Sequence, residues 1–180
     1  NGISTVNGHS YAEKTTNNTN FALLVSEKFT EPFKEPIQYG QHIARLANML
    51  GGGILVQRFG DLLDGRRSTP ERIKASIIKP TLTCATPGDL SLVIPYRQMT
   101  SIIEMLQALD KICPGTASRY TLLYGIEVKF YSARVKLTDE LETEGVKNLF
   151  AIGDGAGVTR GLIQASASGV HVARTICNRG

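Results

Sequence analysis

The chain has 180 residues, 42% of them hydrophobic and 20% charged, which is ordinary globular composition and excludes collagen-like, coiled-coil and wholly disordered readings. Its net charge of +4 does not by itself point to nucleic acid, and no apolar run approaches the ~18 residues of a membrane span. At roughly 150 residues per domain, the length predicts one domain or one plus a fragment, with room for a core that needs neither metal nor disulfide.

Residues 1–20 are polar and read as an exposed strand-and-loop segment. Phe21–Glu27 is short and apolar, a strand candidate, and Pro32 and Pro36 break the chain after it. Across Gln38–Leu50, Tyr39, Ile43, Leu46, Ala47 and Leu50 share one helical face, and Gly51–Gly53 stops the helix. Ile54–Phe59 is a second strand candidate, and Ser68-Thr69-Pro70-Glu71 is a capped helix start. A strand is expected at Leu90–Ile94 within a proline-rich connection. A helix is expected at Met99–Ile112, with Ile102, Ile103, Met105, Leu106, Leu109 and Ile112 on a broad apolar face. Three β-rich pieces follow, at 120–124, 126–131 and 133–137; in the middle one Ile126, Val128 and Phe130 alternate with Glu127, Lys129 and Tyr131.

Near the end of the chain, Asn148–Asp154 reads as an apolar strand running into a glycine and a carboxylate. Gly155–Gly161 is a glycine-rich turn, and Leu162–Cys177 a helix packing through Leu162, Ala165, Ser166, Gly169, Val172, Ala173 and Ile176. Strand, glycine turn and helix together present backbone N–H groups and a partial positive charge to a ligand. The turn is not a first-strand dinucleotide site: Val158 and Arg160 stand where GxGxxG requires glycine, and only 19 residues follow Gly161. Neither a Walker A loop nor an EF-hand fits, so any ligand held here has its main phosphate cradle elsewhere.

The string Asn148-Leu-Phe-Ala-Ile-Gly-Asp-Gly-Ala-Gly157 resembles the second FAD motif of the glutathione-reductase-like flavoproteins. Continued through Gly169, it resembles a bacterial group of FAD-dependent, NAD(FAD)-utilizing dehydrogenases of unassigned substrate. Asn7–Glu13, Pro95-Tyr96-Arg97 and Leu123–Ser132 are similar to the same group. The resemblance implies an α/β fold: an α+β substrate domain joined to the C-terminal part of a Rossmann-like FAD/NAD(P)-binding domain. It divides the chain into 1–20, leading segment of the FAD domain; 21–132, substrate domain; and 133–180, the strand-turn-helix return. It implies that Asp154 accepts a hydrogen bond from a ribityl hydroxyl of FAD and that the following helix aims its N-terminus at the flavin N1/C2=O edge. The implied cofactor-binding set is Gly153, Asp154, Gly155, Ala156, Gly157, Thr159, Arg160, Gly161, Leu162 and Ile163. No GxGxxG stands anywhere in the chain, so the ADP-binding half is expected to precede it in a longer protein, and this chain alone is expected to bind FAD weakly or not at all.

Blander readings stand beside these. Asp154 alone would be a turn aspartate bonding its own backbone, and Arg160 a solvated turn residue. Charge alternation on an exposed strand is the commoner explanation of Glu127, Lys129 and Tyr131. His9, His42 and His171 do not cluster, and no metal ligand set emerges. Cys84, Cys113 and Cys177 are too scattered for a disulfide framework or zinc knuckle, which points to a reducing, cytoplasmic setting. The run Arg66, Arg67, Arg72, Lys74 and Lys79 reads as a solvated face rather than a nucleic-acid patch.

The leading functional expectation is an FAD-dependent oxidoreductase fragment, passing a hydride between FAD and a small-molecule substrate, with NAD(P)H as a further partner; no residue pattern identifies a catalytic acid or base. The alternative is a non-catalytic, flavoprotein-like module that binds nucleotide or RNA. A third reading gives 20–132 a role in partner contacts or dimerisation.

Overall fold

In the computed structural model, which describes residues 2–131 and 133–179, helices form where the 3.6-residue periodicity is longest. Helix α1 spans Pro36–Gly51, with proline in its first turn; Ala44 and Ala47 are buried, and Ile43 and Leu46 lean on the core. It stops at Gly52, whose left-handed φ of 67° lets its N–H reach the Asn48 carbonyl at 2.7 Å. Helix α4 spans Tyr96–Asp110, with Met99 and Leu106 buried and Ile102 and Ile103 against the core. Its apolar face is narrower than the periodicity suggests: Met105 is half exposed, and Ile112 lies beyond the helix end in solvent.

Beside the helices the unit contains a small mixed sheet. Strand β1, Leu55–Arg58, is central; β2, Thr86–Pro87, pairs with it in parallel, and β3, Leu122–Gly125, antiparallel. Leu55, Val56 and Gln57 have almost no access to solvent, and Leu55 and Phe59 join Leu90, Val93, Met99, Leu106 and Ile126 in one core cluster. Burying each of the larger side chains contributes roughly 1.5–3 kcal/mol. Helix α2, Phe59–Leu63, follows β1 directly, and its Gly60 passes so close to Arg119 that a Cβ would stand 2.9 Å from that residue's carbonyl oxygen. Helix α3, Pro70–Lys74, starts at Thr69, whose hydroxyl accepts the Arg72 N–H at 3.3 Å. The fold is therefore mixed α/β.

Several expected strands are absent, each for a local reason. Residues 21–27 make no ladder: Phe21, Leu24 and Val25 are exposed, and Leu23 packs against the core. Leu90–Leu92 is a 3-10 turn instead of a strand, because Asp89 Oδ1 accepts both the Ser91 N–H at 2.9 Å and its hydroxyl at 2.7 Å. Past Gly125 the sheet ends, since Gly125 pairs with Leu55, the first residue of β1. Ile126 is held instead by the Val6 N–H, at 3.0 Å from its carbonyl oxygen. The leading segment is tied down a second time where the Asn48 amide bonds both the N–H and the carbonyl of Ser4, at 2.7 and 2.8 Å.

The chain divides into two compact units, the first running to Val128 and the second beginning at Lys129. Among the described residues of unit 2, extended segments make isolated bridges only: Leu137 with Thr143, and Glu142 with Phe150. The expected strand at 148–154 is interrupted by left-handed backbone at Asn148, φ 62°, and at Gly153, φ 72°. Helix α5, Leu162–Arg179, closes this unit. No helix among the described residues is long and apolar enough to cross a membrane.

Gln57 is buried, and both ends of its amide are bonded. Its Oε1 accepts the Leu90 N–H at 2.8 Å, and its Nε2 donates to the Arg66 carbonyl at 2.9 Å and to Asp89 at 3.3 Å. Gln57→Leu is expected to destabilise the chain by about 1–3 kcal/mol for each group left unpaired, measurable as a lower denaturation midpoint.

Candidate functional site

The glycine turn of unit 2 is built around Gly153. Its φ of 72° and ψ of −166° lie where side chains other than glycine are strained, and its N–H donates to Ser168 Oγ at 3.1 Å. The Ser168 hydroxyl in turn donates to the Ala165 carbonyl at 2.6 Å. The turn thus leans on a strip of small residues of α5: Ala165, Ser168 and Gly169, where Ile152 comes within 3.7 Å of a Cβ added at Gly169. This moves the packing face from the expected one. Ser168 and Val172 are buried, whereas Leu162 and Ile163 are 89% and 85% exposed, and Ser166, Ala173 and Ile176 face solvent.

Asp154 to Ala156 forms one 3-10 turn ended by Gly157 in the left-handed region, φ 69°, with the Gly157 N–H on the Asp154 carbonyl at 3.0 Å. The Asp154 carboxylate is exposed, and the Thr159 hydroxyl donates to its Oδ1 at 2.6 Å. Its partner is thus a side chain, not the backbone bond of an ordinary turn aspartate. Ala156 points inward: it is buried, and its carbonyl accepts the Val135 N–H at 3.2 Å. Gly155 is exposed with nothing within 4 Å of where a Cβ would be.

Arg160 lies over the Tyr131 ring, 4.0 Å from its centre, a contact that sequence reasoning did not anticipate. Its N–H donates to Gln164 Oε1 at 3.2 Å, fixing the first turn of α5, where Ala165 N–H bonds the Gly161 carbonyl at 2.9 Å. The N–H groups of Leu162 and Ile163 therefore lie at the positive end of an 18-residue helix, ahead of its first internal bond. Gly153, Asp154, Thr159, Arg160, Gly161, Leu162 and Ile163 lie along one continuous surface turn. An open groove of about 570 Å³ in the same unit is lined by Arg134–Asp139, Leu141, Glu144 and, from the turn, Val158 alone.

The far end of α5 is held electrostatically. Arg179 pairs with Glu142 at 2.6 Å and with Glu140, and lies 5.2 Å from the Phe150 ring centre. The Arg179 guanidinium, followed by the Asn148 N–H, holds the Glu142 carboxyl below its ordinary value of 4.5. His171 contacts the Asp139 carbonyl at 3.2 Å.

A glycine turn ahead of a long helix offers backbone N–H groups to an anionic ligand. The comparisons with known proteins give the family. Residues 1–130 match the family described as FAD-dependent protein, C-terminal domain-like, and the chain belongs to that family. It is also 32% identical, over 184 aligned residues, to an uncharacterized protein of Clostridium beijerinckii. That alignment takes in 96% of this chain and 33% of the relative, so the chain spans about a third of the relative's length. The family match ends before the Gly153 turn, whereas the alignment with the clostridial protein takes in nearly the whole chain.

Two outcomes follow from this geometry. Gly153→Ala is expected to cost about 1–3 kcal/mol in equilibrium unfolding, and Gly155→Ala close to nothing, because only Gly153 has a backbone that resists a side chain. Since Glu142 titrates lower folded than unfolded, its contribution is complete above pH 4.5 and is lost as pH falls through the depressed value. Acid unfolding of unit 2 should accordingly flatten in Glu142→Gln, monitored by circular dichroism against pH.

Proposed function

We propose that this chain is the C-terminal part of an FAD-dependent oxidoreductase, in which residues 133–180 complete the flavin site and 21–132 face the substrate. The observation that carries the reading is the exposed Asp154 carboxylate, fixed by Thr159 and standing ahead of the α5 N-terminus. The family assignment supports the cofactor. A domain described as C-terminal also implies a preceding one, which in this reading supplies the phosphate cradle that the chain lacks.

The residues fit the isoalloxazine-ribityl end of FAD rather than its pyrophosphate end. A carboxylate suits a ribityl hydroxyl, an acceptor meeting a donor. The α5 N–H groups suit the electron-rich edge of the ring, where a helix N-terminus contributes about 0.3–1 kcal/mol to a nearby negative charge. At about 30 mV for 1.4 kcal/mol in a two-electron couple, that tunes a potential and does not create the chemistry. When bound, FAD supplies the hydride chemistry with the substrate, and NAD(P)H is the natural candidate for the second partner. Leu162 and Ile163 supply apolar cover, which excludes water from the face they meet. Arg160, steadied on Tyr131, keeps a positive charge at the rim of the turn. In this reading Ala156 and Gly157 shape the turn from within.

The deciding experiment is the visible spectrum of the full-length protein purified without added cofactor, followed by NAD(P)H. Flavin bands that bleach, together with roughly tenfold or greater weakening of FAD in Asp154→Ala, are expected. A colourless protein that refuses added FAD overturns the reading in favour of a non-catalytic nucleotide- or RNA-binding module, which the net charge alone supports.

A further inference from the structure

Two of the arginines that read as a solvated face, Arg66 and Arg72, stand with Arg58 around a buried acid in unit 1. Asp61 is 1% exposed; its Oδ1 accepts Arg66 Nε at 3.0 Å and its Oδ2 the Ser68 hydroxyl at 2.8 Å. Two further guanidiniums approach the same carboxylate without bonding it, Arg58 at 3.8 Å and Arg72 at 4.0 Å. On the other side, Asp64 takes Arg66 at 3.0 Å and Arg119 at 2.5 Å, and the Arg119 guanidinium holds it below the ordinary carboxylate range. Four guanidiniums therefore share two carboxylates. Asp89 is joined to the group through the Gln57 amide, with its Oδ1 committed to Ser91.

The shortfall is sharpest at Arg58. Its side chain is 17% exposed, the centre of the Tyr120 ring lies 5.3 Å from its guanidinium carbon, and its Nε is buried with no acceptor among the described residues. A largely desolvated cation costs several kcal/mol unless a counter-charge and hydrogen-bond acceptors are present. Asp61 is bonded to Arg66 and Ser68, and it stands beyond hydrogen-bond distance of Arg58 and Arg72. Arg72 is tethered by a bond from its NH1 to the Arg67 carbonyl at 2.9 Å, so it holds its place without a carboxylate of its own. The guanidiniums of the group outnumber its carboxylates, and guanidinium forks match oxyanions with several acceptor oxygens in geometry.

We propose that Arg58 and Arg72, with Arg119 at the rim and Asp61 and Asp64 as the scaffold, form a binding site for a small molecule bearing a doubly charged oxyanion, either a phosphate monoester or a dicarboxylate. The site lies in unit 1 and does not depend on the flavin reading. The test is calorimetric titration of the full-length protein with inorganic phosphate and with succinate, in chloride buffer at constant ionic strength. Saturable binding is expected, weakened roughly tenfold or more in Arg72→Gln and in Arg119→Gln. Lys74→Gln, on the same short helix as Arg72, should leave it unchanged. Arg72 and Arg119 are partly exposed, so neither variant removes the Arg66 and Ser68 partners of the buried Asp61. Preference for phosphate assigns a phosphate ester and preference for succinate a dicarboxylate. No saturable binding at millimolar concentration, or an equal loss in Lys74→Gln, overturns the proposal, since the second result would mean diffuse screening of surface charge.

Discussion

An amide with no access to water must find a partner for each of its groups, and unit 1 is arranged so that Gln57 does. From the centre of a four-residue strand it reaches the start of the 3-10 turn at Leu90, the Asp89 that caps that turn, and the loop carrying Arg66. The next residue continues the relay: the Arg58 N–H donates to Ser68 Oγ at 2.8 Å, and Ser68 donates onward to Asp61. The core supplies most of the driving force, but it is non-directional. Hydrogen bonds from two adjacent strand residues decide which loops lie against which, and hence where the arginines stand.

The sequence shows its helices more readily than its sheet, for a physical reason. A face repeated over 15 residues, as in α1 and α4, survives the loss of one or two members such as Leu50 or Met105 to solvent. A strand of two to four residues has no such redundancy, and its existence depends on a partner that periodicity cannot name. Leu90–Ile94 and Ile126–Tyr131 have strand composition, but the first is captured by Asp89 and the second runs past the end of β1. Composition suited to a pleat is a statement about side chains; a ladder is a statement about two backbones.

The two candidate sites differ in the same way. The glycine turn is legible because its residues are contiguous, from Gly153 to Ile163, and because glycine at a strained φ leaves a local mark. What supports it is less legible: Ser168 and Tyr131 lie outside that stretch, and only their contacts identify them. The arginine group is invisible as a group, since 58, 66, 72 and 119 follow no period: the first three converge on Asp61, one acid among several, and 119 joins them through Asp64. Nothing marked Asp61 except its place just after an apolar strand, a weak hint that the carboxylate would be carried inside.

The grip of Asn48 on Ser4 has a mechanical side. One carboxamide closes a two-bond ring with the backbone of a residue 44 positions earlier, which is how a neighbouring strand would pair. Tension on the leading segment is therefore taken up first at the last turn of α1, and only beyond it, through Val6, at the margin of the sheet by Ile126. Asn48 also donates to the Gly53 carbonyl at 3.2 Å, so the load is shared with the turn that ends the helix. A side chain acting as a cleat keeps a pull on the first residues from passing directly into the strand that holds Gln57.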